Sequence, residues 1–155
     1  MSHEDGGVDY KKDRKVGGYK VGGYNGGQTI ENDLRLAHEA LKSDKHLAHL
    51  DRIKFIKGDV CQTIPSFAKE QGNGFRVALL NLDLDLYEAT KVALEYFVPR
   101  MVRGGVIVCD EYVVDTFGGE SKAVDEYFPN AFGWRPKVKK FTWHSNPSAY
   151  IEIDW

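Results

Sequence analysis

From Ile30 onward apolar residues recur at helical spacing. Leu34, Ala37 and Leu41 share one face, polar residues fill the gaps, and Glu31 and Asp33 occupy the first turn, where the helix dipole favours acids. The pattern predicts a helix interrupted at Ser43-Asp44, then a short turn with Leu47 and Leu50. Ile53-Lys54-Phe55-Ile56 reads as a strand ending at Gly58-Asp59, and a helical stretch from Ile64 to Glu70 leads to the loop Gln71-Gly72-Asn73-Gly74. Phe75 to Leu84 is a nearly continuous apolar run rich in Val and Leu, as expected of a strand buried on both faces of a parallel sheet. Glu88 to Val98 follows as a helix that Pro99 ends, and Gly104-Gly105 turns the chain into a second buried strand, Val106-Ile107-Val108-Cys109. Beyond a loop with Gly118-Gly119, a short helix runs from Ser121 to Phe128. Val138 to Trp143 and Ala149 to Trp155 then alternate as an antiparallel pair. Strands are thus expected near 53–58, 76–83, 105–110, 138–143 and 149–154, and strand–helix–strand at this spacing argues an open, mostly parallel α/β sheet.

Residues 1–27 follow neither period. Eight of the sixteen glycines fall there, in four pairs among Lys, Asp and Tyr, so the segment is expected to be a loop or mobile arm ahead of one α/β domain over 28–155. Paired glycines suit a phosphate-cradling loop only after an apolar strand, and nothing strand-like precedes these. A formal net charge of −2 carries no footprint for nucleic acid or an anionic membrane, and the basic clusters at Lys11–Lys15 and Arg135–Lys140 are short. No apolar run approaches the ~18–20 residues that span a bilayer. Cys61 and Cys109 form no metal-type pair and no apolar leader is visible, so a soluble, cytoplasmic protein with two reduced thiols is expected.

The chemistry gathers at two strand ends: Asn81-Leu82-Asp83-Leu84-Asp85-Leu86-Tyr87 and Val108-Cys109-Asp110-Glu111-Tyr112. Asp83 and Asp110 are one crossover apart, so both follow parallel strands at the same sheet edge, where open α/β sheets bind ligands. In extended chain Asp83 and Asp85 point the same way. Four carboxylates packed together raise one another's pKa unless a positive charge neutralises them, and neither motif contains Lys or Arg. A hard divalent cation, Mg²⁺ before Ca²⁺ or Mn²⁺, matches an all-oxygen donor set. The competing account is that each acid caps the following helix, but one helix start needs one cap. Asp59, directly after the first strand, suits a hydrogen bond from an adenine amino group and a simple turn equally well.

Leu82-Asp83-Leu84-Asp85-Leu86-Tyr87-Glu88-Ala89-Thr90, a helix, a Gly-Gly turn and then Val106 to Tyr112 closely resemble the macrocin O-methyltransferase family, and the resemblance runs from about Lys54 to Phe128, through Gly119-Glu120-Ser121-Lys122-Ala123-Val124. It implies a Rossmann-like class I methyltransferase fold and methylation of a hydroxyl, that of a sugar or glycosylated natural product, by S-adenosylmethionine with Mg²⁺. It also implies metal ligation by Asp83, Asp110 and Glu111, Asp85 as general base, and Gly58, Asp59 and Asp83 on the cofactor side. The chemistry agrees, since coordination lowers the pKa of a sugar hydroxyl while a base takes its proton. Glu111 stands where many members have Asp. The first strand, its glycine-rich turn and the second strand of such a fold do not precede the glycine-rich arm, so the chain is expected to be the carboxyl-terminal part of the fold, lacking the first two strands.

Two other classes compete. A haloacid dehalogenase-type phosphatase shares Asp83-x-Asp85, but Tyr87 stands where its Thr belongs, and the crossover leaves little room for its other motifs. A non-catalytic α/β fragment or metal-binding module is favoured by the missing cofactor half. The expected partner is a small-molecule substrate, a homo-oligomer being compatible. Trp134, Trp143, Tyr150 and Trp155 are candidates for a sugar site or for core, and His144 for acid–base or structural duty.

Overall fold

The structure, a computed structural model, describes residues 30–43, 49–113, 118–143 and 146–155. The glycine-rich arm over 1–27, the Lys11–Lys15 cluster, Leu47 and His144 lie outside the described residues.

The elements are α1 (Ile30–Ser43), α2 (Val60–Gln71), β1 (Val77–Leu82), α3 (Tyr87–Phe97) with a 3₁₀ turn at Val98–Arg100, β2 (Met101–Cys109), α4 (Gly118–Phe132), β3 (Val138–Lys140) and β4 (Ala149–Glu152). The four strands form one sheet in the order β1-β2-β4-β3. β1 and β2 are parallel and joined through α3, whereas β4 is antiparallel to both β2 and β3. The α/β class and the carboxyl-terminal antiparallel pair are as expected. The sheet is mixed rather than mostly parallel, because β4 returns beside β2 and the strand expected at 53–58 does not join.

Residues 51–57 carry no ladder. Side chains hold this segment instead: Phe55 meets His38 of α1 edge-on at 5.8 Å, Lys57 pairs with Glu31 at 2.8 Å, and Lys54 pairs with Glu70 of α2 at 2.9 Å. An apolar tetrapeptide makes a strand only against an open edge in register, and β1 pairs with β2 alone. The segment therefore does not close onto β1.

The core lies between one face of the sheet and two helices packed on it. Leu80 and Leu82 of β1, Ile107 and Cys109 of β2, and Ile151 of β4 meet Ala93 and Leu94 of α3 and Ala123, Val124 and Phe128 of α4. The expectation that β1 is buried on both faces is overturned: Leu79 is 64% exposed and Ala78 and Asn81 are exposed too. α3 and α4 share one face, and no described element covers the other. Gly104-Gly105 is likewise no turn but lies within β2, where the register against β1 shifts. Gly104 has φ 77°, and a Cβ on Gly105 would fall 2.8 Å from the Val102 carbonyl oxygen, so the irregularity needs both glycines. No helix among the described residues is long and apolar enough to cross a membrane.

Candidate active site

β1 and β2 are locked in register to their last residues, Leu82 opposite Cys109, and the Asp110 amide donates to the Leu82 carbonyl oxygen at 3.1 Å. Asp83 and Asp110, the next residue of each strand, therefore leave the sheet side by side at its carboxyl edge. Asp83 is exposed; Asp85, Asp110 and Glu111 are partly buried.

Asp85 arrives there differently from expectation. β1 ends at Leu82, and Asp85 adopts φ 57° while the Leu86 amide donates to the Leu84 carbonyl oxygen at 2.5 Å, so Asp85 is the apex of a γ-turn. The alternation of extended chain does not apply, and the turn sets its direction. Asp tolerates positive φ better than most residues, but the conformation still costs free energy. Val113, just past the second acid motif, has φ 63°, which is rarer for a β-branched residue. Strained backbone on both acid loops is a pattern that functional sites share. The turn is held from behind by α4, since a Cβ on Gly119 would lie 2.5 Å from the Asp85 carbonyl oxygen and 2.7 Å from the Tyr87 amide. Only glycine permits that approach.

The capping account separates cleanly. Asp59 caps α2, its Oδ1 accepting from the Cys61 amide at 3.0 Å. Gly58 before it has φ 140°, and a Cβ there would meet Thr63 Cγ2 at 2.8 Å. Asp85 caps nothing: the residue at the start of α3 is Leu86, and no side chain caps that helix.

The acids share one electrostatic neighbourhood. Burial, then the charges of Asp83 and Asp110, push the Asp85 carboxyl up from its ordinary range. Burial also pushes Glu111 up, with Asp110, Asp85 and Asp83 adding to the effect and a hydrogen bond from Asn146 opposing it. No Lys or Arg figures in either balance. Among the described residues no three His, Cys, Asp or Glu side chains are grouped as a ready-made metal cage.

Two polar residues at this edge escaped the sequence reading. Glu120 is fully buried; its Oε1 accepts from the Glu111 amide at 3.1 Å, and its Oε2 has no hydrogen-bond partner among the described residues. Burial pushes its carboxyl up to about 8, the backbone hydrogen bond from Glu111 opposing and the Asp110 charge reinforcing. Glu120 shares the buried face of α4 with Ala123, Val124 and Phe128, so a carboxylate on an apolar helical stripe was the available signal. Asn146 donates from Nδ2 to Glu111 Oε1 at 2.5 Å and to Asp110 Oδ2 at 3.3 Å. An Asn-Pro pair reads as a turn and carried no such signal.

The aromatic candidates divide by sheet edge. Trp134 and Trp155 meet edge-on at 5.6 Å beside Phe132, and Trp155 follows β4 toward the beginning of β2, the edge opposite the acids. Trp143 is 79% exposed, packs on Phe141 at 5.7 Å, and belongs to the β3–β4 loop on the acid edge. Tyr150 stands on β4 against Phe141 at 5.0 Å.

The family described as Macrocin-O-methyltransferase (TylF) matches residues 27–134. The chain is 37% identical over 65 residues to the 8-demethyl-8-(2,3-dimethoxy-alpha-L-rhamnosyl)-tetracenomycin-C 4'-O-methyltransferase of Streptomyces olivaceus, covering 42% of this chain and 23% of that protein. Among solved structures, CalS11, a calicheamicin methyltransferase, superposes with a TM-score of 0.77 at 24% identity, over 92% of this chain and 54% of that one. The O-methyltransferase NovP superposes with a TM-score of 0.58 at 21% identity, over 90% and 57%. At these identities the structures establish the fold alone, a Rossmann-like α/β methyltransferase architecture. The chain spans about half the length of these structures and about a quarter of the curated relative.

Proposed function

Because the chain belongs to the macrocin O-methyltransferase family, we propose that it carries the acid site of an S-adenosylmethionine-dependent, Mg²⁺-assisted O-methyltransferase acting on a sugar hydroxyl. The observation that carries this reading is the convergence of Asp83, Asp85, Asp110 and Glu111 at the carboxyl edge, where burial and then the neighbouring acids push the carboxyls of Asp85 and Glu111 up. The donor set fits a hard divalent cation: it is all oxygen and like-charged, and its hydrogen-bond donor is the neutral Asn146 amide.

Asp83, Asp110 and Glu111 would hold Mg²⁺, whose chemistry when bound is to lower the pKa of the acceptor hydroxyl. Asp85 is the general base. Its turn aims the side chain independently of the strand, and its raised pKa brings it nearer to that of the proton it must take. Gly58, Asp59 and Asp83 belong to the cofactor side, Asp59 through Oδ2, the oxygen its cap does not use. Methyl transfer then needs mainly in-line positioning. A rhamnose-bearing acceptor is the first to try, because the S. olivaceus relative is named for a rhamnosyl substrate.

The test is methyl transfer to such an acceptor across a magnesium series. Asp85→Asn should lower the rate by a factor on the order of 10²–10⁴ at every Mg²⁺ concentration. Asp110→Asn should instead recover part of its loss at high Mg²⁺. Rescue of Asp85→Asn but not of Asp110→Asn would reverse the two roles, and a wild-type chain that neither binds S-adenosylmethionine nor transfers methyl would overturn the enzyme reading. A second reading, a non-catalytic metal-binding α/β module, is favoured by the uncovered face of β1. Cation binding without cofactor binding identifies it.

A further inference from the structure

The cation reading above leaves the amide of Asn146 without a role. Asn146 lies in the β3–β4 loop, which backbone hydrogen bonds fasten to the end of β2: the Ser148 amide donates to the carbonyl oxygens of Cys109 and Asp110, both at 3.0 Å. The loop therefore holds Asn146 against the acid pair without relying on its side chain. Its amide nitrogen sits 2.5 Å from Glu111 Oε1 and 3.3 Å from Asp110 Oδ2, between the two carboxylates.

Those distances resemble the spacing inside a coordination shell. Ligand oxygens at ~2.1 Å from an octahedral Mg²⁺, at right angles to one another, lie ~3 Å apart. The distances of the Asn146 nitrogen to the two carboxylates, 2.5 and 3.3 Å, straddle that spacing. A carboxamide also carries a donor nitrogen and an acceptor oxygen on one carbon, and a half-turn about the last side-chain bond exchanges them at constant volume. Facing two bare carboxylates, the nitrogen points at them; facing a cation held by those carboxylates, the oxygen is the favourable end. A neutral oxygen adds coordination without adding charge to a site already crowded with carboxylates.

We propose that Asn146 is a further ligand of the divalent cation, turning Oδ1 toward the ion beside Asp110 and Glu111. The inference rests on the metal reading, and one titration separates their failures. The probe is Mn²⁺, its affinity for the full chain read by electron paramagnetic resonance without cofactor or acceptor. Wild type should bind, and Asn146→Ala should weaken binding by at least roughly ten-fold, the lower end of what losing even an outer-shell partner costs a metal site. Asn146→Asp keeps the side chain's size and an oxygen in place but removes the donor, so a ligand role predicts unchanged or tighter binding. Equal affinity of Asn146→Ala and wild type, or weakening in Asn146→Asp as large as in Asn146→Ala, would make Asn146 a mere hydrogen-bonding spacer and overturn the proposal. Absence of Mn²⁺ binding by wild type would overturn the metal reading itself, and this inference with it.

Discussion

α1 and α3 are both amphipathic helices, yet α3 buries Ala89, Thr90, Ala93 and Leu94 whereas α1 buries no residue. The difference lies in their neighbours. α3 is the crossover between two paired strands and is held down by α4, so its apolar side chains enter a common core with β1 and β2. α1 meets the unpaired segment 51–57 through Asp51, Phe55 and Lys57, leaving Leu34 48% and Leu41 58% exposed. Helical periodicity tells which face is apolar, not whether a partner is present to cover it. The hydrophobic gain, roughly 25 cal/mol per Å² of apolar surface, accrues only where water is displaced.

The largest effect should therefore come from the covered face. Phe128→Ala removes a fully buried ring from the core cluster that includes Leu94 and Ile107, and should cost about 3–5 kcal/mol in denaturant unfolding. A loss below 1 kcal/mol would mean that this core is not formed in solution.

Glu120 sharpens the contrast through pH. Its pKa in the folded chain is raised from 4.5 to about 8, so the stability tied to its neutral form is fully present below about pH 4.5 and lost as pH rises through about 8. Glu120→Gln keeps the shape and the acceptor for the Glu111 amide but cannot ionise. Thermal melts in a chelating buffer should show the variant gaining on wild type between pH 5 and pH 8, by on the order of a few kcal/mol. Parallel stability–pH curves for the two proteins would place Glu120 in contact with solvent.

The smallest effect belongs to α1. Leu36 is 69% exposed, and Leu36→Gln should change stability by less than ~0.5 kcal/mol in the same unfolding experiment. A loss approaching that of Phe128→Ala would break the comparison, showing that something covers α1 in solution.

Much of the fold was legible in the chain. β1, α3, β2 and the β3–β4 pair lie close to where their periods placed them, because β1, α3, β2 and β4 each bury a face that their residue types record, and β3 pairs along β4. The strand at 53–58 was misread for a complementary reason: Ile53-Lys54-Phe55-Ile56 has strand composition, but a ladder depends on a second edge that composition does not describe. The two-faced burial of β1 failed in the same way, since an apolar run states what a strand can bury and not what lies over it.

By itself the sequence determined which acids reach the carboxyl edge. Asp83 and Asp110 each stand one residue past a strand, and a crossover of that length makes the strands parallel, with both ends on one side. Only the tertiary structure decided how those acids are held. The γ-turn that aims Asp85 depends on the close approach of Gly119, the amide of Glu111 is held by a buried Glu120, and Asn146 reaches the acid pair from the β3–β4 loop. The contacts of Gly119 and Asn146 join residues far apart in the chain, and that of Glu120 spans a loop, through the packing of α4 and β4 beside β1 and β2. Local sequence periodicity encodes the face each element presents, but not the particular partner it meets.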